Sequence, residues 1–332
     1  MTNSSGHDRL ASMLVWDNHV CMPLRPHDTG FLPGLQRHRD AGTDVVMINV
    51  GYGDDGPEAH LKMLASMRDW IAAHEAEVRL IESVADIAAA KANGQLAIGF
   101  DIEGANAIGD QLSLLRLYRD LGVRWMLLAY NRNNRAGGGC QDDDIGLTKF
   151  GREMLHEMAR VGIVACCSHT GYRTAREAID ESPTPVIFSH SNARALTDHP
   201  RNIPDDLIRA CAARGGVVGI NGIGIFLGDN DASVANVARH VLHVVDLVGS
   251  EHAGLGLDYI HDQSELAAEI AANPDKFPAH LGYSAGIEMT MPERLPDLAE
   301  ELSRRGLDDA ALARILSGNW LRVANQVWKM GA

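Results

Sequence analysis

The sequence predicts an α/β fold, and within that class a (β/α)8 barrel of the TIM type with extra C-terminal helices. Short apolar runs alternate with amphipathic helical patterns along nearly the whole chain. The runs are apolar without strict alternation, which is typical of parallel strands covered on both faces. Eight such runs fit the usual barrel length of about 250 residues. A doubly wound open sheet is the alternative, but no Gly-x-Gly-x-x-Gly follows an early strand.

The predicted strands cover residues 13–20, 44–50, 96–102, 125–130, 163–168, 185–189, 217–225 and 253–258. Amphipathic helices fill the intervals, and Gly122 and Gly162 are expected to cap two of them. Residues 292–330 predict two further helices outside the barrel. With no repeat or linker, residues 1–332 are expected to form one domain whose first ten residues are flexible.

Composition narrows the partners and the compartment. A net charge of -14 argues against nucleic acid or an anionic membrane as the main partner. The five cysteines have no regular spacing, which argues against a disulfide framework and fits a reducing compartment. The N-terminus is polar, with Asp8 and Arg9 and no apolar segment, so we expect no signal peptide and a cytoplasmic protein.

Polar side chains with metal-binding or acid–base chemistry stand at the ends of the predicted strands. They are His19, Cys21, Glu103, Tyr130, His169, His190 and Asp258. In a barrel these ends converge on one face, where enzymes of this fold place their chemistry. Any single histidine is more simply interpreted as a hydrogen-bonded, partly buried ring. The whole set indicates a site.

A glutamate between two histidine groups is suited to bridge two metal ions. Imidazole and thiolate are good zinc ligands, and two zincs about 3.5–4 Å apart can hold a shared hydroxide. Asp258, on the last strand, is placed to accept the proton and pass it to a leaving amine. The pattern is typical of metal-assisted amide hydrolysis.

Several motifs resemble those of the membrane (renal) dipeptidases, a zinc peptidase family whose barrel is related to the amidohydrolases. The motifs occupy residues 17–23, 99–104, 185–191, 201–206, 254–258 and 319–323. The likeness runs from Leu14 to about Val327. The resemblance implies a metalloprotease that hydrolyses dipeptides or similarly small amides with a metal-bound hydroxide. It also implies a homodimer.

The resemblance assigns metal ligands to individual residues. His19 would bind a first zinc, Glu103 would bridge the pair, and His169 and His190 would bind the second zinc.

The resemblance also assigns two residues to the substrate. Asp258 would lie near the nucleophile and the substrate amine. Arg201 would bind the carboxylate of a short peptide, which its planar fork of donors matches. Without the motif, Arg201 would be interpreted as a surface or helix-capping residue next to Pro204.

Two positions depart from the family pattern. The family usually has Asp two residues after the first His, where this chain has Cys21. Cys21 either ligates zinc as a thiolate or is a small buried thiol beside a weak or empty first site. The family also has a His in the segment that here contains Tyr130. The Tyr130 phenol either donates a hydrogen bond to the substrate or fills the space.

These departures leave two other functions open. A divergent family member with one metal, or an altered metal site, would catalyse another hydrolytic or biosynthetic step. A non-catalytic binding protein would keep the barrel alone or with one structural zinc. Several buried charges in one pocket argue against the second, since each is costly unless it is paired or metal-bound.

Overall fold

The structure, a computed structural model, describes residues 6–284 and 286–331. Its strands are β1 (Trp16–Cys21), β2 (Val45–Tyr52), β3 (Val78–Leu80), β4 (Leu96–Glu103), β5 (Val123–Leu127), β6 (Val164–Cys166), β7 (Val218–Ile220), β8 (Ala253–Leu255) and β9 (Tyr259–Ile260).

The α-helices lie mostly between the strands. They are α1 (Gly6–Ala11), α2 (Gln36–Asp40), α3 (Pro57–Ala73), α4 (Val84–Ala92), α5 (Leu114–Asp120), α6 (Lys149–Val161), α7 (Tyr172–Glu181), α8 (Asp205–Ala213), α9 (Gly224–Leu227), α10 (Val234–Val248), α11 (Gln263–Ala272), α12 (Leu295–Arg304), α13 (Asp309–Ala313) and α14 (Asn319–Val327).

The strands form a parallel barrel. One sheet runs in the order β6-β5-β4-β2-β1-β9, with β3 added to β4, and β7 pairs with β8. The segment that follows β8 closes the barrel against β1. There the Asp258 backbone N–H donates to the His19 carbonyl at 3.1 Å. The Leu257 N–H also donates to Asp17 Oδ1 at 2.8 Å. The predicted (β/α)8 class is confirmed.

Residues 185–189, predicted as a strand, fill the place between β6 and β7 without forming a regular one. Ile187 forms an isolated bridge to β6, and Phe188 forms one to β7. The backbone after β8 approaches this segment closely, since a Cβ at Gly256 would lie 2.1 Å from the Ser189 carbonyl oxygen. This crowding requires glycine there and accompanies the irregular pairing.

Several predicted elements have different ends in the structure. β5 ends at Leu127 and β8 at Leu255, so the polar residues expected on these strands lie in the loops that follow. β7 is short because α9 begins at Gly224, inside the predicted strand. The C-terminal tail contains the two predicted helices. The first is α12, and the second runs without a break from α13 through a π-helical turn over Arg314–Gly318 into α14.

Three apolar clusters stabilise the molecule. The largest packs the helices against the outside of the barrel, and a second fills its interior around Trp16, Trp125 and Trp320. The third lies at the carboxyl ends of the strands, and we call it the lid cluster. Its buried members are Ile223, Phe226, Tyr259, Ile270, Phe277, Tyr283 and Met289.

The N-terminal segment is partly described. Residues 1–5 lie outside the described residues, so their expected flexibility stays a prediction. Residues 6–10 belong to α1, which packs on α12 and buries Leu10. Within the described ranges, no helix combines the length and apolar character needed to cross a bilayer.

Candidate metal centre

Six of the predicted site residues meet at the mouth of the barrel. We call this group the strand-end cluster: His19, Cys21, Glu103, His169, His190 and Asp258. The first two lie on β1, and Glu103 ends β4. The others follow β6, residues 185–189 and β8, so strands from around the barrel each contribute a side chain.

Glu103 lies at the centre of this cluster. Its Oε1 is 3.7 Å from His19 Nε2, 3.4 Å from His169 Nε2 and 3.2 Å from His190 Nε2. The side chain is only 5% exposed, and Oε1 is buried without a hydrogen-bond partner among the described residues. Three imidazole nitrogens therefore converge on one unsatisfied carboxylate oxygen.

The second nitrogen of each ring has its own partner. Nδ1 of His19 lies 3.1 Å from Oδ2 of Asp101, and Nδ1 of His169 lies 2.7 Å from Oδ1 of Asn131. Both oxygens are acceptors, so these Nδ1 atoms donate, and Nε2 is the atom that each ring presents to the cluster. This is the arrangement that orients histidine ligands in metal sites.

Nδ1 of His190 lies 2.7 Å from Oγ of Ser189. The hydroxyls of Ser189 and Ser168 are themselves 3.4 Å apart, and the Ser168 hydroxyl also accepts the His190 backbone N–H at 3.1 Å. His190 is therefore fixed through both its ring and its backbone.

Cys21 and Asp258 form the other side of the cluster. The Cys21 sulfur is 3.5 Å from His19 Nε2 and 3.4 Å from Asp258 Oδ1. Asp258 Oδ2 accepts a hydrogen bond from Asn221 Nδ2 at 2.8 Å, which leaves Oδ1 facing the cluster. His19 thus lies between two potential ligand groups, one with Cys21 and Asp258 and one with Glu103 and His190.

Three non-glycine residues of this region have left-handed backbone conformations. The φ angles are 55° at Asn131, 62° at His169 and 58° at Asp258. Such conformations are uncommon outside glycine and concentrate at functional sites, where the surrounding structure holds them. Here they turn the chain out of the strand direction and aim the side chains at the mouth.

Burial and neighbouring charges together raise the pKa of Glu103 and His19 and lower the pKa of His169 and His190. Burial raises the pKa of Glu103 to about 8, although the charge of His19 opposes this. Burial lowers the pKa of His169 and His190 well below the usual range, and Arg201 lowers both further. Burial also opposes protonation of His19, but Asp101, Cys21 and Glu103 raise its pKa well above normal. His169 and His190 are therefore neutral rings, the form that ligates metal.

Arg201 and Tyr130 border the cluster. Arg201 is 2% exposed, and its Nη2 donates to the His190 carbonyl at 3.2 Å. Its Nε and Nη1 are buried without partners among the residues described. The Tyr130 ring stacks on His169 with a centroid distance of 4.2 Å. Burial raises the pKa of its phenol well above normal, so the phenol stays protonated.

Four residues that orient the cluster were not predicted from the sequence: Asp101, Asn131, Ser189 and Asn221. One signal was available for Asp101, which lies two positions before Glu103 on a strand and so shares its face. For Asn131 no such signal existed, because its position depends on the left-handed backbone after β5.

Comparison with known proteins identifies relatives along much of the chain. The profile of the membrane dipeptidases, peptidase family M19, matches residues 36–278. An uncharacterized dipeptidase of Schizosaccharomyces pombe is 35% identical over 208 residues, which are 60% of this chain and 50% of that protein. The dipeptidase tcpJ of Claviceps purpurea is 32% identical over 246 residues, covering 72% of this chain and 53% of that protein. The chain spans about half the length of these curated relatives.

Solved structures extend the likeness to the whole fold. An amidohydrolase from Pseudomonas aeruginosa has a TM-score of 0.88 and 28% identity, over 98% of this chain and 100% of that chain. A metallopeptidase from Rhodobacter sphaeroides, solved with a phosphinate mimic of the dipeptide L-Ala-D-Ala, has a TM-score of 0.79 and 20% identity, over 95% and 99%. At that identity it supports the fold alone. The profile match confirms the resemblance seen in the motifs: the chain belongs to the membrane dipeptidase family, peptidase family M19.

Proposed function

We propose that this protein is a zinc-dependent hydrolase of dipeptides or similarly small amides. The observation that carries the proposal is the convergence of three imidazole Nε2 atoms on the unsatisfied Oε1 of Glu103. Family membership supports hydrolysis, and the relatives described above are named dipeptidases.

The residues present fit a pair of metal ions. Ionising the buried Glu103 carboxyl without a partner is costly, which is why its pKa is raised to about 8, and a cation beside it would remove that cost. His169, His190 and Glu103 would hold one zinc; His19 and Cys21, with Glu103 as the bridge, would hold the other. Bound zinc would supply a Lewis acid for the amide carbonyl and would lower the pKa of a water toward about 7.

Asp258 would move the proton during hydrolysis. Asn221 holds one of its oxygens, and the other, which accepts from the Cys21 thiol, faces the cluster. With the Cys21 sulfur bound to metal, that oxygen would accept a proton from the attacking water and transfer it to the leaving amine. The left-handed backbone of Asp258 fixes that oxygen 3.5 Å from His19 Nε2. This position is within reach of any nucleophile held by the cluster.

Arg201 would bind the free carboxylate of the substrate. Its Nε and Nη1 have no partner among the described residues, so each is available to donate a charge-assisted hydrogen bond to a carboxylate, and burial strengthens the interaction. The Tyr130 phenol, which stays protonated, adds a neutral donor at the same mouth.

Replacing the central carboxylate tests the proposal. Glu103→Gln keeps the size but removes the charge, so we expect kcat/KM for dipeptides to fall at least about 100-fold. Elemental analysis should find two zincs per chain in the wild type and fewer in the variant. Glu58→Gln, an exposed change on α3, is the control and should alter neither quantity. A zinc-loaded wild type that hydrolyses no dipeptide in a broad panel would contradict the proposal.

The role of Arg201 has a separate test. In Arg201→Gln, kcat/KM for dipeptides with a free C-terminus should fall about 10- to 100-fold, because charge-assisted hydrogen bonds are lost. C-terminally amidated dipeptides should lose much less, so the ratio between the two substrates is an internal control for damage to the fold. Equal losses for both would show that Arg201 does not bind the carboxylate.

A further inference from the structure

A small cavity opens directly above the strand-end cluster. Its floor includes Cys21, Glu103, His169 and Asp258, and its volume is about 210 Å³. Small-molecule pockets are commonly about 300–1,000 Å³, so this one is limited to compact substrates. A dipeptide bound at the cluster would have to place its side chains against the walls of this cavity.

The walls are largely apolar and come mostly from parts of the chain outside the barrel strands. Met22 and Leu24 follow β1, while Ile223 and Phe226 lie at α9. The remaining apolar wall, from β9 to the segment after α11, is formed by Ile260, Leu266, Phe277, Tyr283, Ile287 and Met289. Most of these side chains belong to the lid cluster or pack against it.

The charged side chains among the wall residues are carboxylates that already have cationic partners. Asp262, Glu265 and Glu269 line the cavity alongside the carboxylates of the floor. Arg25 pairs with Asp262 at 3.2 Å and with Glu265 at 3.8 Å, and Lys276 pairs with Glu269 at 3.5 Å. Among the described residues, the ones that line the cavity include neither lysine nor arginine. An acidic side chain packed against these apolar walls would lose water without gaining a free cationic partner among them.

We propose that this cavity makes the enzyme selective for dipeptides that carry a bulky apolar side chain, aliphatic or aromatic, and makes it reject acidic ones. The proposal rests on the function proposed above and names the substrate class of the same site. In an apolar pocket each additional methylene changes kcat/KM by about 10- to 200-fold, so the lid cluster has enough apolar surface for a strong preference.

The direct test uses the zinc-loaded full chain and two dipeptide series, Ala-X and X-Ala, with X as Ala, Leu, Phe, Asn or Asp. In at least one series, Leu or Phe should exceed Ala in kcat/KM by at least about 10-fold. Asp should fall below Asn, which has the same shape without the charge. Rates that do not differ between Ala and Leu or Phe in either series, or an Asp substrate as good as Leu, would overturn the proposal.

A matched pair of variants tests whether the lid wall causes the preference. Leu266 is half-buried on α11 and lines the cavity, whereas Leu281 packs on the same lid cluster without lining it. Leu266→Asn should reduce the Leu-to-Ala preference at least about 10-fold. Leu281→Asn should leave that preference unchanged. The same loss in both variants would contradict a role for the cavity wall.

A binding measurement separates this proposal from the proposed function. Two phosphinate dipeptide mimics, one with a Leu side chain and one with Ala, are titrated calorimetrically into the zinc-loaded protein. The Leu mimic should bind at least about 10-fold more tightly whether or not dipeptides are hydrolysed. Tighter binding without hydrolysis would refute the function and support the selectivity. Hydrolysis with equal binding of both mimics would refute the selectivity and leave the function standing.

Discussion

At the scale of single residues, the cluster depends on how each histidine ring is held. Asp101 and Asn131 accept from Nδ1 of His19 and His169, so both rings present Nε2 to Glu103. A ring free to flip would lose this direction. The oxygens that accept these protons therefore matter to metal affinity although they do not contact the ion.

Cys21 is the residue on which the composition of the first metal site depends. Burial raises the pKa of its thiol, so in the metal-free protein the sulfur is protonated. A metal ion displaces that proton when the thiol coordinates it. The sulfur already lies 3.5 Å from His19 Nε2, which places both donors beside one position.

We expect Cys21 to coordinate metal as a thiolate. The cobalt-substituted protein should show sulfur-to-cobalt charge-transfer absorption in the near ultraviolet. Cys21→Ser should lose this band, and Cys21→Asp should lose the band while keeping the metal. Cys211→Ser is the control, because that buried sulfur contacts the Val186 carbonyl and none of the residues that form or orient the cluster. A band that persists in Cys21→Ser would show that Cys21 is a buried thiol outside the metal site.

At the scale of secondary-structure elements, the sequence predicted the barrel strands better than the parts that cover them. Apolar runs located the strands at 44–50 and 96–102 nearly as the structure has them, because buried parallel strands are continuously apolar. The periodicity of residues 263–272 did not indicate α11, since Ile270 is the helix's only fully buried residue. The lid was missed for the same reason: its cluster joins separate stretches of chain and has no local pattern.

Polar contacts link α11, which carries part of the lid cluster, to the barrel. Tyr52, at the end of β2, donates from its hydroxyl to Glu269 Oε1 on α11 at 3.2 Å. Lys276 Nζ lies 3.5 Å from the same oxygen and 4.4 Å from the centroid of the Tyr52 ring. Because α11 buries so little apolar surface, we expect it to depend on these polar contacts to stay packed against the barrel.

Glu269→Gln should loosen the lid, because it removes the ion pair while keeping an acceptor for Tyr52. Such partly exposed pairs contribute up to about 1 kcal/mol, so amide hydrogen exchange over residues 263–277 should quicken by up to about 5-fold. KM for dipeptides should rise. Glu157→Gln, which breaks the ion pair with Arg160 on α6, is the control and should change neither. Unchanged exchange in Glu269→Gln would mean that the contact does not hold the lid.

At the scale of the whole molecule, the number and spacing of the apolar runs predicted a barrel. They did not predict which contacts close it. Closure depends on Asp17, whose carboxylate accepts the Leu257 N–H across the junction between β8 and β1. It also depends on the irregular pairing of residues 185–189. Both are long-range contacts between residues far apart in the sequence, so no local pattern indicates them.

A buried histidine pair also joins distant parts of the fold. Nε2 of His38 on α2 lies 3.0 Å from Nε2 of His261, just after β9. Burial lowers the pKa of His38 to about 3 and that of His261 to about 4, and the His261 ring further disfavours a charge on His38. The neighbouring charges are Arg37, which disfavours both protonated rings, and Glu293, which opposes the shift of His261.

Both rings therefore stay neutral in the folded protein over a pH range in which the unfolded chain binds two protons. The pair leaves the free energy of unfolding unchanged above pH 6.5. It lowers that free energy as the pH falls toward 4, because the unfolded chain binds protons that the folded protein does not. The loss is about 1.4 kcal/mol for each histidine and each pH unit below 6.5. Urea unfolding at pH 7, 6 and 5 should thus show a steeper fall in unfolding free energy for the wild type than for the double variant His38→Asn, His261→Asn.

The comparison between variants isolates the pair, because the strand-end cluster is the same in both proteins and its contribution cancels. His156→Asn, at an exposed position on α6, is the control and should follow the wild type at every pH. If the difference in unfolding free energy between the wild type and the double variant does not change from pH 7 to pH 5, the buried pair does not bind protons on unfolding. The acid sensitivity of the fold would then have to come from other groups, such as the buried His60 and His240.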